Sequence, residues 1–95
     1  MNRLPVGVVG VGHLGSLHAK MFAGLPNAEF VGVTDIDAAR AAAVAQEHRT
    51  KAFASADELL SRVKAVSIAT PTVAHFAVAR KAIEQGIHVF IEKPI

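Results

Sequence analysis

Between Val6 and Gly15 an apolar run, Val6-Gly7-Val8-Val9, passes without a break into Gly10-x-Gly12-x-x-Gly15, and helix-forming residues follow. This order restricts the start of the chain to a strand, a tight glycine turn and a helix, the opening of a βαβ unit that binds a dinucleotide. Each glycine has its own physical role. Gly10 permits the sharp exit from the strand, Gly12 lets backbone approach a pyrophosphate that a Cβ would push away, and Gly15 lets the helix pack closely on the strand. The N–H groups at the helix start, near Gly12 to Leu14, then face the phosphates with the positive end of the helix dipole behind them.

Glycines alone do not decide the matter, since an ordinary turn before a helix can carry the same letters. The motif also needs a second strand that ends in an acid. Glu29–Asp35 supplies it: Phe30, Val31 and Val33 are apolar, and Asp35 closes the run twenty positions after Gly15. A carboxylate there accepts hydrogen bonds from an adenosine ribose. It also repels a 2′-phosphate, so NAD is expected in preference to NADP.

Bulk properties narrow the function classes. Ninety-five residues allow one domain at most. The net charge of +2 is spread along the chain without a basic run, which gives no footing for nucleic acid. The absence of cysteine excludes disulfides, thiolate metal sites and thiol nucleophiles, and accords with a reducing compartment. The N-terminus enters a strand directly, and no apolar run approaches membrane-spanning length. The expectation is a soluble, cytoplasmic protein with no membrane partner.

The rest of the chain alternates helix and strand. Leu14, Leu17, His18, Met21 and Phe22 recur at helical spacing as one apolar stripe, ended by Gly24 and Pro26. Asp37 reads as the N-cap of an Ala-rich helix to about Glu47, and Thr50–Ala54 as a short strand around Phe53. Ser55-Ala-Asp-Glu58 is a capping box opening a short helix that buries Leu59 and Leu60. Ala65–Ala69 is a strand buried on both faces, broken by Thr70-Pro71-Thr72. Thr72 caps a helix from Val73 to about Gln85, with Phe76, Ala79 and Ile83 expected to face the sheet. Gly86 ends it, and Ile87–Ile91 forms a fifth strand running into Glu92-Lys93-Pro94-Ile95. The predicted fold is α/β, a doubly wound parallel sheet of order 3-2-1-4-5 with right-handed crossovers. Gly10–Gly15, Asp35–Asp37, Thr70–Thr72 and Glu92–Pro94 all fall at the carboxyl ends of strands, where such sheets bind ligands.

These four stretches, with Ser67-Ile-Ala-Thr-Pro-Thr72 followed by His75, closely resemble the N-terminal domain of the Gfo/Idh/MocA family, named for glucose–fructose oxidoreductase, inositol dehydrogenase and a rhizopine-catabolism protein. The resemblance spans essentially the whole chain, and Glu92-Lys93-Pro94 in register with the rest is its most specific part. It implies pyrophosphate binding at Gly10, Gly12 and Gly15, with His13 and Leu14 between them, and ribose binding at Asp35. Thr70, Pro71 and Thr72 would line the cofactor's other side, with His75 nearby. Glu92 and Lys93 would lie near the nicotinamide, and Lys93 would assist hydride transfer at a carbinol carbon by stabilising alkoxide character. Family members often hold the peptide before the equivalent of Pro94 in the cis form.

The same resemblance implies a substrate that is a sugar, nucleotide-sugar or cyclitol, and a further sheet domain carrying a catalytic Asp/His pair. This sequence stops after Glu92-Lys93-Pro94-Ile95, ahead of that domain and of the last strand and helix of the nucleotide-binding fold. It is therefore expected to be part of a dehydrogenase, without turnover of its own. Its fifth strand is expected to be an uncovered apolar edge, and the chain to self-associate through that edge or by exchanging elements, making a homo-oligomer.

The other polar residues invite plainer readings. His13 has no required role at its motif position, His18 reads as a satisfied, half-buried histidine on the apolar stripe, and His75 stands between a cofactor-side contact and a helix-start residue. Asp37 reads as a cap. Lys51, Arg62, Lys64 and Arg80 read as solvated faces, and His48 and His88 do not fall at metal-ligand spacing, so no metal is assigned. Two alternatives stay open: a different Rossmann-type reductase, and a non-catalytic dinucleotide-sensing or assembly module.

Overall fold

A computed structural model of the chain describes residues 3–10, 13–69 and 72–91. Nine elements alternate along it: β1 (Leu4–Val9), α1 (His13–Ala23), β2 (Ala28–Thr34), α2 (Ala38–Glu47), β3 (Lys51–Ala52), α3 (Ala56–Leu60), β4 (Ala65–Ile68), α4 (Thr72–Glu84) and β5 (His88–Ile91). The five strands form one sheet of order β3-β2-β1-β4-β5, every neighbouring pair parallel. This is the expected doubly wound order, which reverses direction between β1 and β4.

Both sheet faces are covered, and the two cores have different linings. On one face α1 and α2 bring Ala19, Ala41, Val44 and Ala45 onto Val8 and Val33. On the other, α3 and α4 bring Leu59, Leu60, Ala79 and Ala82 onto Val9, Val66 and Ile68. β4 is buried along its whole length, as a two-sided apolar strand must be. Among the described residues no helix is long and apolar enough to cross a membrane.

Local signals set the element ends. Asp37 caps α2, its Oδ1 accepting from the N–H groups of Ala39 at 3.1 Å and Arg40 at 3.2 Å. Ser55 Oγ accepts from the Glu58 N–H at 3.2 Å, one half of the expected capping box. α4 ends as anticipated at Gly86, which has φ +74°. There the N–H of Ile87 bonds the Ala82 carbonyl at 2.9 Å and that of Gly86 bonds Ile83 at 3.0 Å, the two bonds of a Schellman close.

Two side-chain expectations are corrected. Ile83 does not face the sheet: it is 67 % exposed, while Ala79 and Ala82 are buried and Val78 packs beside them. The residues that meet the sheet lie at i, i+1 and i+4 on one side, and small alanines let the helix settle close. Ile83 is carried to the shoulder. Likewise Leu17 and Met21 are exposed, and α1 rests on the sheet through Ala19 with His18 and Phe22 half-buried.

Candidate nucleotide-binding crevice

Strand register aligns the chemistry. Val9 of β1 pairs with Thr34 of β2 and with Ile68 of β4, and Ile68 pairs in turn with Ile91 of β5. Four strands therefore end level, in one row, at the same edge of the sheet. The row is locked from just beyond: the Gly10 N–H bonds the Thr34 carbonyl at 2.8 Å and the Ala69 N–H bonds the Val9 carbonyl at 2.9 Å. The Gly10–Gly15, Asp35–Asp37, Thr70–Thr72 and Glu92–Pro94 stretches each begin within two residues of this row.

Gly10 leaves β1 at φ +87°, a conformation that side-chain-bearing residues rarely adopt. Because the chain turns there, α1 starts at His13, directly past the end of β1. The first N–H groups of a helix have no partner within it and carry the positive end of its dipole. Neither α1 nor α4, the helices that follow β1 and β4, has an acid in its first turn, whereas α3 has Asp57 and Glu58. An anion at the reversal point thus meets helix starts without a competing first-turn carboxylate.

Asp35 stands at the end of β2, half-buried, and its Oδ1 accepts the Asp37 N–H at 2.8 Å. That bond fixes the carboxylate's orientation at the rim. Beside it lies a cleft of about 180 Å³ lined by Val9, Thr34, Asp35, Ile36, Ala54, Ser55, Ala56 and Val78. Its Thr34 is tied to the segment that leaves β3, where Thr34 Oγ1 donates to the Phe53 carbonyl at 2.9 Å just before the lining residues Ala54 and Ser55. These residues fit a dinucleotide: Gly10 leaves β1 without a Cβ shortly before a helix start, and an oriented acid borders an adjoining apolar cleft.

Of the site residues expected from sequence, Gly10 and Asp35 are brought to one edge of the sheet. The structure places His13, Leu14 and Gly15 in the first turn of α1, and Thr72 and His75 in the first turn of α4. Gly12, Thr70, Pro71, Glu92, Lys93 and Pro94 lie outside the described residues. Sequence reasoning missed the cleft walls. Ile36 carried a signal, an isolated apolar residue between two aspartates in a turn; Val78 and Ala54 carried none. Also missed was a contact from His18 Nδ1 to Ser67 Oγ between α1 and β4. Among the described residues no group of three or more histidines and acids is placed to hold a metal.

Residues 4–95 match the family model described as an oxidoreductase family with an NAD-binding Rossmann fold. The chain is 52 % identical to the UDP-N-acetylglucosamine 3-dehydrogenase of Acidithiobacillus ferrooxidans, over 99 % of this chain and 29 % of that protein. A solved structure of that enzyme superposes with a TM-score of 0.91 over 99 % of this chain and 29 % of the other. Inositol 2-dehydrogenase 1 of Paenarthrobacter aurescens is 42 % identical over 97 % of the chain and 28 % of its own length. The structure of myo-inositol dehydrogenase from Lactobacillus casei in complex with NAD(H) and myo-inositol has a TM-score of 0.88 at 33 % identity, covering 97 % of this chain and 29 % of that one. The chain thus spans less than a third of the length of these relatives.

Proposed function

Because this chain belongs to the Gfo/Idh/MocA oxidoreductase family, we propose that it is the dinucleotide-binding domain of an NAD-dependent dehydrogenase acting at a carbinol carbon of a sugar, nucleotide-sugar or cyclitol. The observation that carries this reading is the level row of strand ends, with Gly10 bonded across it to β2 and Asp35 following directly on the end of β2. The relatives' substrates, UDP-N-acetylglucosamine and inositol, support the polyol class. The substrate domain and its catalytic pair belong to a larger protein, and residues 1–95 alone do not turn over.

NAD, when bound, accepts or returns the hydride. The start of α1 holds the pyrophosphate, Asp35 holds the adenosine ribose, and the cleft beside it takes the adenine end. Thr70, Pro71 and Thr72, with His75, line the opposite side. Glu92 and Lys93 serve the nicotinamide end, where Lys93 stabilises charge on the substrate oxygen. The acid at Asp35 sets the preference for NAD over NADP, since a 2′-phosphate would meet its charge. In this reading the protein works in the cytoplasm as a homo-oligomer.

Calorimetric titration of the intact protein with NAD and with NADP tests this reading. Tighter binding of NAD, and a preference erased in Asp35→Ala, is the expected result. An Asp35→Ala variant that loses no more affinity for NAD than for NADP would sink it.

A further inference from the structure

We infer that His18 and Ser67 are a positioning pair that ties the two sides of the dinucleotide crevice together, an inference that rests on the dinucleotide reading above. Ser67 lies inside β4, 1 % exposed, between Val66 and Ile68. A hydroxyl buried there is costly unless it is paired. Its partner is Nδ1 of His18, reaching across from α1. The pair sits in a pocket of about 190 Å³ whose other walls are Met21 and Phe22. The buried Ser67 hydroxyl, 1 % exposed, gives its end of the bond a low-dielectric setting, which strengthens a hydrogen bond. The hydroxyl donates to Nδ1 in one imidazole tautomer and accepts from it in the other, so the contact serves either form.

Its place in the fold gives the pair a consequence beyond stability. His18 follows Gly15 by three residues, about one turn into the helix whose start faces the pyrophosphate. Ser67 precedes Ile68, the last residue of β4, from which the chain runs on to Thr70–Thr72. The sheet reverses between β1 and β4, and the crevice opens there. One side-chain contact therefore joins the helix that leaves β1 to the strand on the crevice's far side. If α1 slides along its axis, the backbone N–H groups at its start move relative to the other wall, and both walls must meet one ligand.

The test compares NAD affinity, by calorimetry on the intact protein, for wild type, His18→Asn, His18→Gln, Ser67→Ala and the double variant His18→Gln/Ser67→Ala, with Tm alongside. Asn sets a polar atom close to where Nδ1 stands, whereas Gln sets one where Nε2 stands. His18→Gln and Ser67→Ala should each weaken NAD binding by more than about two-fold and by up to about five-fold, the ceiling set by the full worth of one neutral hydrogen bond. His18→Asn should stay within about two-fold of wild type, and the double variant should be no weaker than either single. A purely structural role would lower Tm and leave the affinity of folded protein unmoved. Equal NAD affinity in His18→Asn and His18→Gln overturns the inference, and both should fold because position 18 is only half-buried. A wild-type protein that does not bind NAD defeats the dinucleotide reading and this inference with it. Binding by wild type with Asn and Gln alike defeats this inference alone.

Discussion

Gly32 of β2 lies so close beneath Phe53 that a Cβ built on it would stand 2.6 Å from the ring's Cδ1 and 2.7 Å from the Lys51 carbonyl oxygen. Phe53 is in turn fastened to β2, its N–H bonding the Val33 carbonyl at 2.8 Å and its carbonyl accepting from Thr34 Oγ1. The glycine therefore lets the β3 connection lie down on β2, and Ala54 and Ser55, which line the cleft beside Asp35, are placed by that contact. Gly32→Ala should cost about 1–3 kcal/mol, the range for forcing a methyl into a packed core. Urea denaturation measures the loss. An unchanged midpoint would mean that Phe53 moves aside freely and does not position the cleft.

Arg49 offers a gain. It closes α2 at φ 56°, with the Thr50 N–H on the Ala45 carbonyl at 2.9 Å and its own N–H on Gln46 at 3.4 Å. The same two-bond close ends α4 at Gly86, where no Cβ opposes the left-handed conformation. A left-handed residue with a side chain costs roughly 1–2 kcal/mol, part of which glycine returns through its larger unfolded-state entropy. Arg49→Gly should accordingly stabilise the protein by about 0.5–1 kcal/mol, seen as a rise in Tm. A fall in Tm would show that the arginine side chain makes contacts that outweigh the strain.

How far the sequence could be read follows from the range of each signal. Capping at Asp37 and Ser55, the close at Gly86 and the apolar runs of β1, β2 and β4 are encoded within a few residues, and strand order follows from alternation and crossover handedness. Asp35 was legible because the fingerprint fixes its spacing from Gly15 and the strand register does the rest. Exposure of Ile83, Leu17 and Met21 was not legible, since periodicity gives a stripe's width but not how the helix is rolled on the sheet. Neither the His18–Ser67 contact nor the Gly32–Phe53 contact has a local pattern, because their partners are distant in sequence and meet only once the sheet is assembled.

Two aspartates two residues apart should separate cleanly in their effects. Asp37 Oδ1 receives the Ala39 and Arg40 N–H groups, while Asp35 is held by the backbone N–H of Asp37, which survives side-chain truncation. Asp37→Ala should therefore lower stability by about 1 kcal/mol through the lost cap and change NAD affinity little. Asp35→Ala should do the reverse, losing NAD affinity with less effect on Tm. Paired Tm and titration measurements decide it. An Asp37→Ala variant with wild-type stability and impaired NAD binding would make Asp37 a ligand rather than a cap.

Ile36 gives the sharpest contrast between folding and binding. It is 97 % exposed, so the folded chain gains almost nothing from its apolar side chain. Yet it adjoins Asp35 and lines the cleft that receives the adenine end in the proposed arrangement. A flat base laid against it would remove from water part of the surface of an isoleucine, whose complete burial is worth about 1.5–3 kcal/mol. One-sided cover amounts to about 1 kcal/mol, or about five-fold in affinity. Ile36→Ser should thus keep the wild-type Tm while weakening NAD several-fold. Because NADP carries the same base, its affinity should fall by the same factor, leaving the NAD/NADP ratio to Asp35. If instead the variant alters that ratio and leaves NAD binding untouched, the base does not lie on Ile36 and the cleft serves another part of the ligand.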